Sequence, residues 1–243
     1  MKFSSIAIVC VMLATACSRT PAESSSPRPT PVPKDAVPKD ASTLANVDAF
    51  VAKHLVLDLN ADFTAKTLSG SAELRFDRRD PNASEVVLDT RDLTIQRVET
   101  AAGSGAWMPT THRLDAATPA FGSALHIAMP SGADRARVTY STSPSARGLQ
   151  WLAPSQTAGK KQPFLFSQAQ AIQARSFIPL QDTPGVRMTY EATIHTPKDL
   201  VAVMAAEMDP GFVVVDRAGS GTDGPTRVFK FKMPQAIDRK SVV

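Results

Sequence analysis

The chain has 243 residues, 43% of them hydrophobic and 21% charged, with a formal net charge of +4. This is globular composition, which excludes a wholly disordered or fibrous chain. The basic residues are scattered, the longest runs being Arg78-Arg79, Lys160-Lys161 and Arg239-Lys240, and aromatics make up only 6%. That excludes the basic stripe with interleaved aromatics of a nucleic-acid-binding surface.

Residues 1–17 read as an export signal. Lys2 supplies the positive start, and Ile6 to Leu13 is an apolar run too short to span a bilayer as a mature helix. The closing Leu13-Ala14-Thr15-Ala16-Cys17 resembles a bacterial lipoprotein signal, although Ala14 stands where leucine is more usual. Cys17 is then the lipidation site. Ordinary secretion with cleavage nearby is the alternative. Cys10 leaves with the signal, so no cysteine remains for a disulfide. These residues place the protein in a bacterial cell envelope, facing the periplasm with the membrane as partner through the lipid, or secreted if it is not lipidated.

Residues 18–43 are rich in proline, serine and alanine and nearly lack large apolar side chains. Such a segment cannot bury enough surface to offset its ordering entropy. Pro27, Pro29, Pro31 and Pro33 favour extended conformations and make it a semi-rigid tether.

From Asp48 the pattern has period two. Leu55, Leu57 and Leu59 share one strand face, and Ala72, Leu74 and Phe76 share that of a second strand, with Lys66 to Gly70 expected as the turn between them. Val86-Val87-Leu88 suits a strand covered on both faces. Leu93, Ile95 and Val98 follow, then Leu125, Ile127 and Met129, then Ala136, Val138 and Tyr140. Further along come Met188 to Ile194, the apolar run Leu200 to Met204, Phe212 to Val215, and Phe229 with Phe231. Many short strands and no long helix outside the signal predict an all-β sandwich or curled sheet.

Between these strand sets lies Leu165 to Pro184, LFSQAQAIQARSFIPLQDTP. Gln168, Gln170 and Gln173 alternate with Ala169, Ala171 and Ala174, so small neighbours leave room beside each amide. A glutamine carbonyl accepts from a cation and its NH2 donates to a carbonyl, and both kinds of group occur at the free end of a peptide. Most side-chain hydrogen bonds go to backbone, so buried structural glutamines are the plainer reading of composition alone. Asp182, on the proline-bounded loop, reads as a cap for its own turn. Arg175 either pairs with it or faces another carboxylate. Trp151 and Phe164 read as core or interface residues.

This segment closely resembles the aminopeptidase N family of zinc peptidases, in its aminopeptidase B and leukotriene hydrolase branch. The resemblance extends to His54-Leu55 through Gly70-Ser71, Leu88 to Ile95, Gly148 to Leu152, Pro197 to Met204 and Phe229-Lys230-Phe231. It implies a saddle-shaped N-terminal β domain of several sheets over residues 44–237. It also implies that Gln168, Ala169 and Gln170 form the substrate-binding site, holding a peptide N-terminus, while Gln173 is structural. The family often has glutamate where Gln170 stands; a neutral amide binds an ammonium less strongly than a carboxylate does.

The family's zinc motif His-Glu-x-x-His and its Gly-x-Met-Glu-Asn motif are absent from this sequence. None of His54, His112, His126 and His195 is followed by glutamate or has a histidine at the i, i+4 spacing. The expected cofactor is zinc in the intact family enzyme and none in this chain, with no catalytic residue here and no turnover by it alone. The tail at 238–243 departs from the family, which continues into another apolar strand. The chain therefore reads as a truncated peptidase: a fragment, a frameshifted product or a decayed gene. An uncovered domain interface is expected to promote self-association. The competing expectation is a non-enzymatic envelope lipoprotein whose β domain is a binding module.

Overall fold

The computed structural model describes residues 40–209, 214–217 and 225–238. The expected signal with Cys17, most of the expected tether, and residues 239–243 lie outside the described residues.

The alternating leucines of β1 (Phe50–Asp62) run into β2 (Thr67–Arg78) through a tight turn. The Asp62 carboxylate accepts hydrogen bonds from the N–H groups of Thr64 and Ala65, both at 2.8 Å, and Lys66 closes the turn with φ 55°. The turn is shorter than the sequence suggested, and Gly70 lies inside β2 opposite Leu59. There its φ is 146°, and a Cβ would come within 2.0 Å of the Asp58 carbonyl oxygen. Glycine is required at 70 by the approach of two backbones.

The strands that follow are β3 (Glu85–Thr90), β4 (Thr94–Ala101), β5 (Met108–Pro109), β6 (His112–Leu114), β7 (Ser123–Ala128) and β8 (Arg135–Ser141). After them come β9 (Leu149–Leu152), β10 (Phe164–Ser167), β11 (Arg187–Pro197), β12 (Glu207–Met208), β13 (Val215–Arg217) and β14 (Thr226–Asp238). The fold is all-β and built of several sheets. The largest has the order β12-β14-β11-β1-β2-β8-β4-β5, with β13 also on β14. A second sheet is β3-β7-β6, and a third is the hairpin β9-β10.

Within the large sheet, β1 and β11 pair in parallel, from His54 opposite Thr189 to Asn60 opposite His195. Parallel neighbours need a long crossover. Here the crossover carries the two smaller sheets and the glutamine segment, and it delivers that segment to the start of β11.

The inward residues of both larger sheets form one apolar cluster: Leu55 and Leu57 of β1, Leu74 of β2, Leu88 of β3, Ile127 of β7 and Tyr190 of β11 are all buried. Phe177, Ile178 and Leu180 of the glutamine segment complete it. Tyr140 is fully enclosed; its hydroxyl donates to the Phe177 carbonyl at 2.8 Å, and burial pushes its pKa far above the usual value. The covered strand expected at Val86-Val87-Leu88 is buried on both faces. The run Leu200 to Met204, expected as a strand, joins no ladder among the described residues, and Val201 and Val203 are exposed.

His54 lies on the polar face of β1, half-buried, with Nδ1 2.7 Å from the Thr189 hydroxyl. Burial lowers its pKa from the ordinary 6.5, partly offset by Glu191 and Glu73. The unfolded chain therefore takes up this proton more readily than the folded one. The contribution is fully present above the ordinary value and is lost as pH falls below it. Urea midpoints measured at about pH 7.5 and about pH 5 are expected to differ more for the natural protein than for His54→Gln. Equal differences would rule out this linkage.

Candidate functional site

The glutamine segment is tied down at both ends before it reaches its exposed loop. β10 pairs with β9 as far as Ser167 opposite Leu149, and the Gln168 N–H then donates to the Gly148 carbonyl at 2.8 Å. The Gly148 N–H donates to the Ser176 hydroxyl at 2.8 Å, and that hydroxyl donates to the Gln173 carbonyl at 2.7 Å. A Cβ at position 148 would lie 2.5 Å from the Phe177 ring and 2.7 Å from the Gln173 carbonyl oxygen. Only glycine lets β9 close on this turn. A short 3-10 turn at Ala174–Ser176 follows.

Gln168 and Gln170 are both exposed, and Ala169 between them is 2% exposed. The small buried residue acts as a peg, turning its two neighbours outward. The Gln168 side-chain carbonyl accepts the Gln170 N–H at 3.0 Å, which leaves its NH2 group outward. The peptide bond between Gln170 and Ala171 is cis. Gln173 is half-buried; its N–H donates to the Ala169 carbonyl at 2.9 Å, while its side-chain oxygen is buried without a partner.

Beneath the loop lies a fully buried ionic node. The Arg175 guanidinium donates from Nε to Asp182 Oδ2 at 2.8 Å and stands 3.3 Å from Asp89 Oδ1. Its remaining donors reach the carbonyls of Phe121 and Ser42, each at 2.9 Å. Asp89 accepts the N–H groups of Asp182 at 2.8 Å and Leu44 at 2.7 Å, and also the Thr43 hydroxyl. Asp182 thus serves the structure, as the sequence suggested, but as the partner of Arg175. Burial lowers the Arg175 pKa, and the Asp89 charge raises it in turn. Next along the chain, the Gln181 side chain accepts the Ala52 N–H at 2.9 Å and donates to the Phe50 carbonyl at 2.7 Å. It satisfies the backbone of β1 as a strand would. Sequence reasoning missed the roles of Asp89, Gln181 and Gly148; the block around Asp89 was visible as a family resemblance, without its task.

Beside the loop, β1, β10, β11 and the run at 200–204 enclose an apolar groove of about 360 Å³. Leu57, Leu59, Ile194 and Phe166 line it, as do the exposed Val201 and Val203. Trp151 is half-buried and packs edge-on against Phe63 at 5.1 Å between centroids, while Phe164 is exposed.

The histidines stay apart, on β1, β6, β7 and β11. His126 is clasped between Glu85 at 2.9 Å and Asp115 at 3.0 Å, and His195 lies 3.0 Å from Asp58. Among the described residues no group of three or more histidine, cysteine, aspartate or glutamate side chains is placed to hold a metal. A resident zinc does not fit these residues, so no step is assigned to one here.

Residues 51–210 match the Peptidase M1 N-terminal domain model. The chain belongs to this family. It is 36% identical over 200 residues to leucine aminopeptidase 2 of Pyricularia oryzae, covering 80% of this chain and 30% of that protein. It is 35% identical over 199 residues to leukotriene A-4 hydrolase of Xenopus laevis, covering 79% and 31%. Yeast leukotriene A4 hydrolase, solved in complex with bestatin, superposes with a TM-score of 0.69 at 28% identity, covering 88% of this chain and 30% of that one. The M1 N-terminal domain here therefore spans under a third of the length of these relatives.

The ionic node makes a measurable demand on the M1 domain. Arg175→Met leaves two buried carboxylates without their shared guanidinium, and is expected to cost about 3–5 kcal/mol. Urea unfolding measures it, and the triple change Arg175→Met, Asp89→Asn, Asp182→Asn is expected to recover part of the loss. A loss below about 1 kcal/mol for the single variant would show that the node is not a structural requirement.

Proposed function

We propose that this M1 N-terminal domain is the substrate-anchoring part of a zinc-dependent aminopeptidase, and that Gln168, Ala169 and Gln170 bind the N-terminus of a peptide. The observation that carries the reading is the pair of exposed glutamine amides on a loop whose backbone is fixed from below by the Arg175 node. The Gln170 carbonyl oxygen is suited to accept from the ligand's ammonium, and the Gln168 NH2 group to donate to its first carbonyl. The bond to the ammonium contributes about 1.5–3 kcal/mol and the one to the neutral carbonyl about 0.5–1.5 kcal/mol. The metal and the groups that cleave the peptide bond belong to a domain whose motifs this sequence does not carry. The anchor's contribution is position: holding a chain end at a fixed place removes several kcal/mol from the barrier of a reaction performed elsewhere. On its own the domain binds and does not cleave.

The N-terminal sequence supports a location for this activity. Lys2, the apolar run Ile6 to Leu13 and Cys17 fit a bacterial lipoprotein signal, and the proline-rich stretch after it fits a tether. In this reading the domain stands at the envelope, facing the periplasm, with Cys17 acylated.

An isotope-labelled domain titrated with Ala-Ala-Ala-amide is expected to show shifts at the side-chain amides of Gln168 and Gln170. The N-acetylated peptide is expected to show none. Gln168→Ala with Gln170→Ala is expected to weaken binding at least about tenfold without changing the unfolding midpoint, since both side chains are exposed. An equal response to the acetylated peptide removes the terminus-binding reading. Turnover of a fluorogenic aminoacyl substrate by the purified chain with zinc removes the anchor-only reading.

A further inference from the structure

Two arginines flank the glutamine turn, and neither has a carboxylate partner among the described residues. Arg147 immediately precedes Gly148, whose carbonyl accepts the Gln168 N–H and whose N–H reaches Ser176. With Leu149 opposite Ser167 in the hairpin, Arg147 falls beside the start of the exposed loop. It is itself exposed, and no hydrogen bond or ion pair engages it among the described residues. Arg91 flanks the other side: its N–H donates to the Arg175 carbonyl at 2.8 Å. Its side chain is buried, with the residue 4% exposed. Its guanidinium donates to the carbonyls of Pro119 and Ala120, both uncharged, and its Nε is buried without a partner.

A buried guanidinium satisfied only by neutral acceptors is costly. Burial lowers the Arg91 pKa, and the charges of Arg147 and Arg175 lower it further, with Asp92 acting in the opposite sense. Arg175 is already compensated by Asp89 and Asp182. Asp92 offsets part of the Arg91 charge, so the excess charge near the turn is that of Arg147, and it is positive. An ammonium brought alone to Gln168 and Gln170 meets repulsion there; an ammonium with a carboxylate close by does not.

We propose that Arg147, backed by the charge of Arg91, forms a carboxylate subsite beside the glutamine grip, so that the preferred ligand is a peptide end carrying a carboxylate near its amine. This inference rests on the terminus-binding reading above and adds a substrate class to it. An acidic first side chain and the free carboxylate of a very short peptide present the same chemistry. Arg147 is the specificity-determining residue. Its planar fork suits a carboxylate, and its exposure leaves it free to reach one.

The test compares affinities of the full domain for Glu-Ala-Ala-amide, Gln-Ala-Ala-amide and Gln-Ala with a free C-terminus, at low salt. The natural protein is expected to bind the glutamate peptide about fivefold more tightly than its glutamine analogue. Arg147→Gln brings that ratio to about one, Arg147→Lys retains part of it, and about 0.5 M salt shrinks it in the natural protein. A tighter Gln-Ala in place of the glutamate peptide assigns the subsite to a chain-terminal carboxylate. N-acetyl-glutamate amide, which has no amine, separates the two readings. If it shifts the Arg147 Nε–H signal in the natural protein while no free-amine peptide perturbs the glutamines, the anion subsite stands and the amine grip falls. If glutamate and glutamine peptides bind equally, or if Arg147→Gln keeps the preference, the carboxylate subsite is overturned.

Discussion

The structure depends on one buried guanidinium. Arg175 gathers Asp89 from the β3-β7-β6 sheet, Asp182 from the run into β11, and carbonyls of the 121 loop and of the chain's entry at Ser42. These segments are far apart in sequence, and no strand ladder among the described residues joins all of them. Buried ion pairs add little net stability when compared with well-packed apolar side chains, but removing one partner is expensive. The node is best understood as a device for geometry. It forces a long crossover to return to one place, and the loop above it inherits that placement.

That placement explains how the proposed site can lie on a short loop without being floppy. Gln168 to Ser176 has few apolar side chains of its own to bury. It is stitched instead by backbone bonds to Gly148, by the Ser176 hydroxyl, by Ala169 sunk into the core, and by Arg175 below. The two amides then project from a fixed base. Lost side-chain entropy opposes their use in binding, at up to about 2 kcal/mol each. The backbone that carries them is already ordered, so that larger cost is absent when a ligand arrives.

Much of the fold was visible in the sequence because period-two alternation is a local property. Leu55 to Leu59, Ala72 to Phe76 and Met188 to Ile194 all became strands with the expected faces inward. What failed was non-local. Gly70 read as a turn residue because glycine usually punctuates turns, yet the steric demand on it comes from Asp58 across the ladder. Leu200 to Met204 has strand composition but joins no ladder among the described residues. The expected tether reached residue 43, whereas Ser42 and Thr43 already bond to the Arg175 node. Polar residues at a domain's entry look like linker in sequence because their partners lie more than a hundred positions away or on another sheet. Gln181 and Asp89 were overlooked for the same reason: one polar side chain bonding to distant backbone leaves no periodic trace.

The same limit applies to charge. In sequence, Arg91, Arg147 and Arg175 are three scattered cations in a weakly basic chain. In the fold they lie around one turn; Arg175 is ion-paired to Asp89 and Asp182, and Asp92 offsets part of the Arg91 charge. Neutral glutamines at the grip are consistent with that field. The amides of the grip and the arginines beside it are thus parts of one electrostatic arrangement. On the proposed reading, selectivity would be set as much by which charge is left in excess as by which groups touch the ligand.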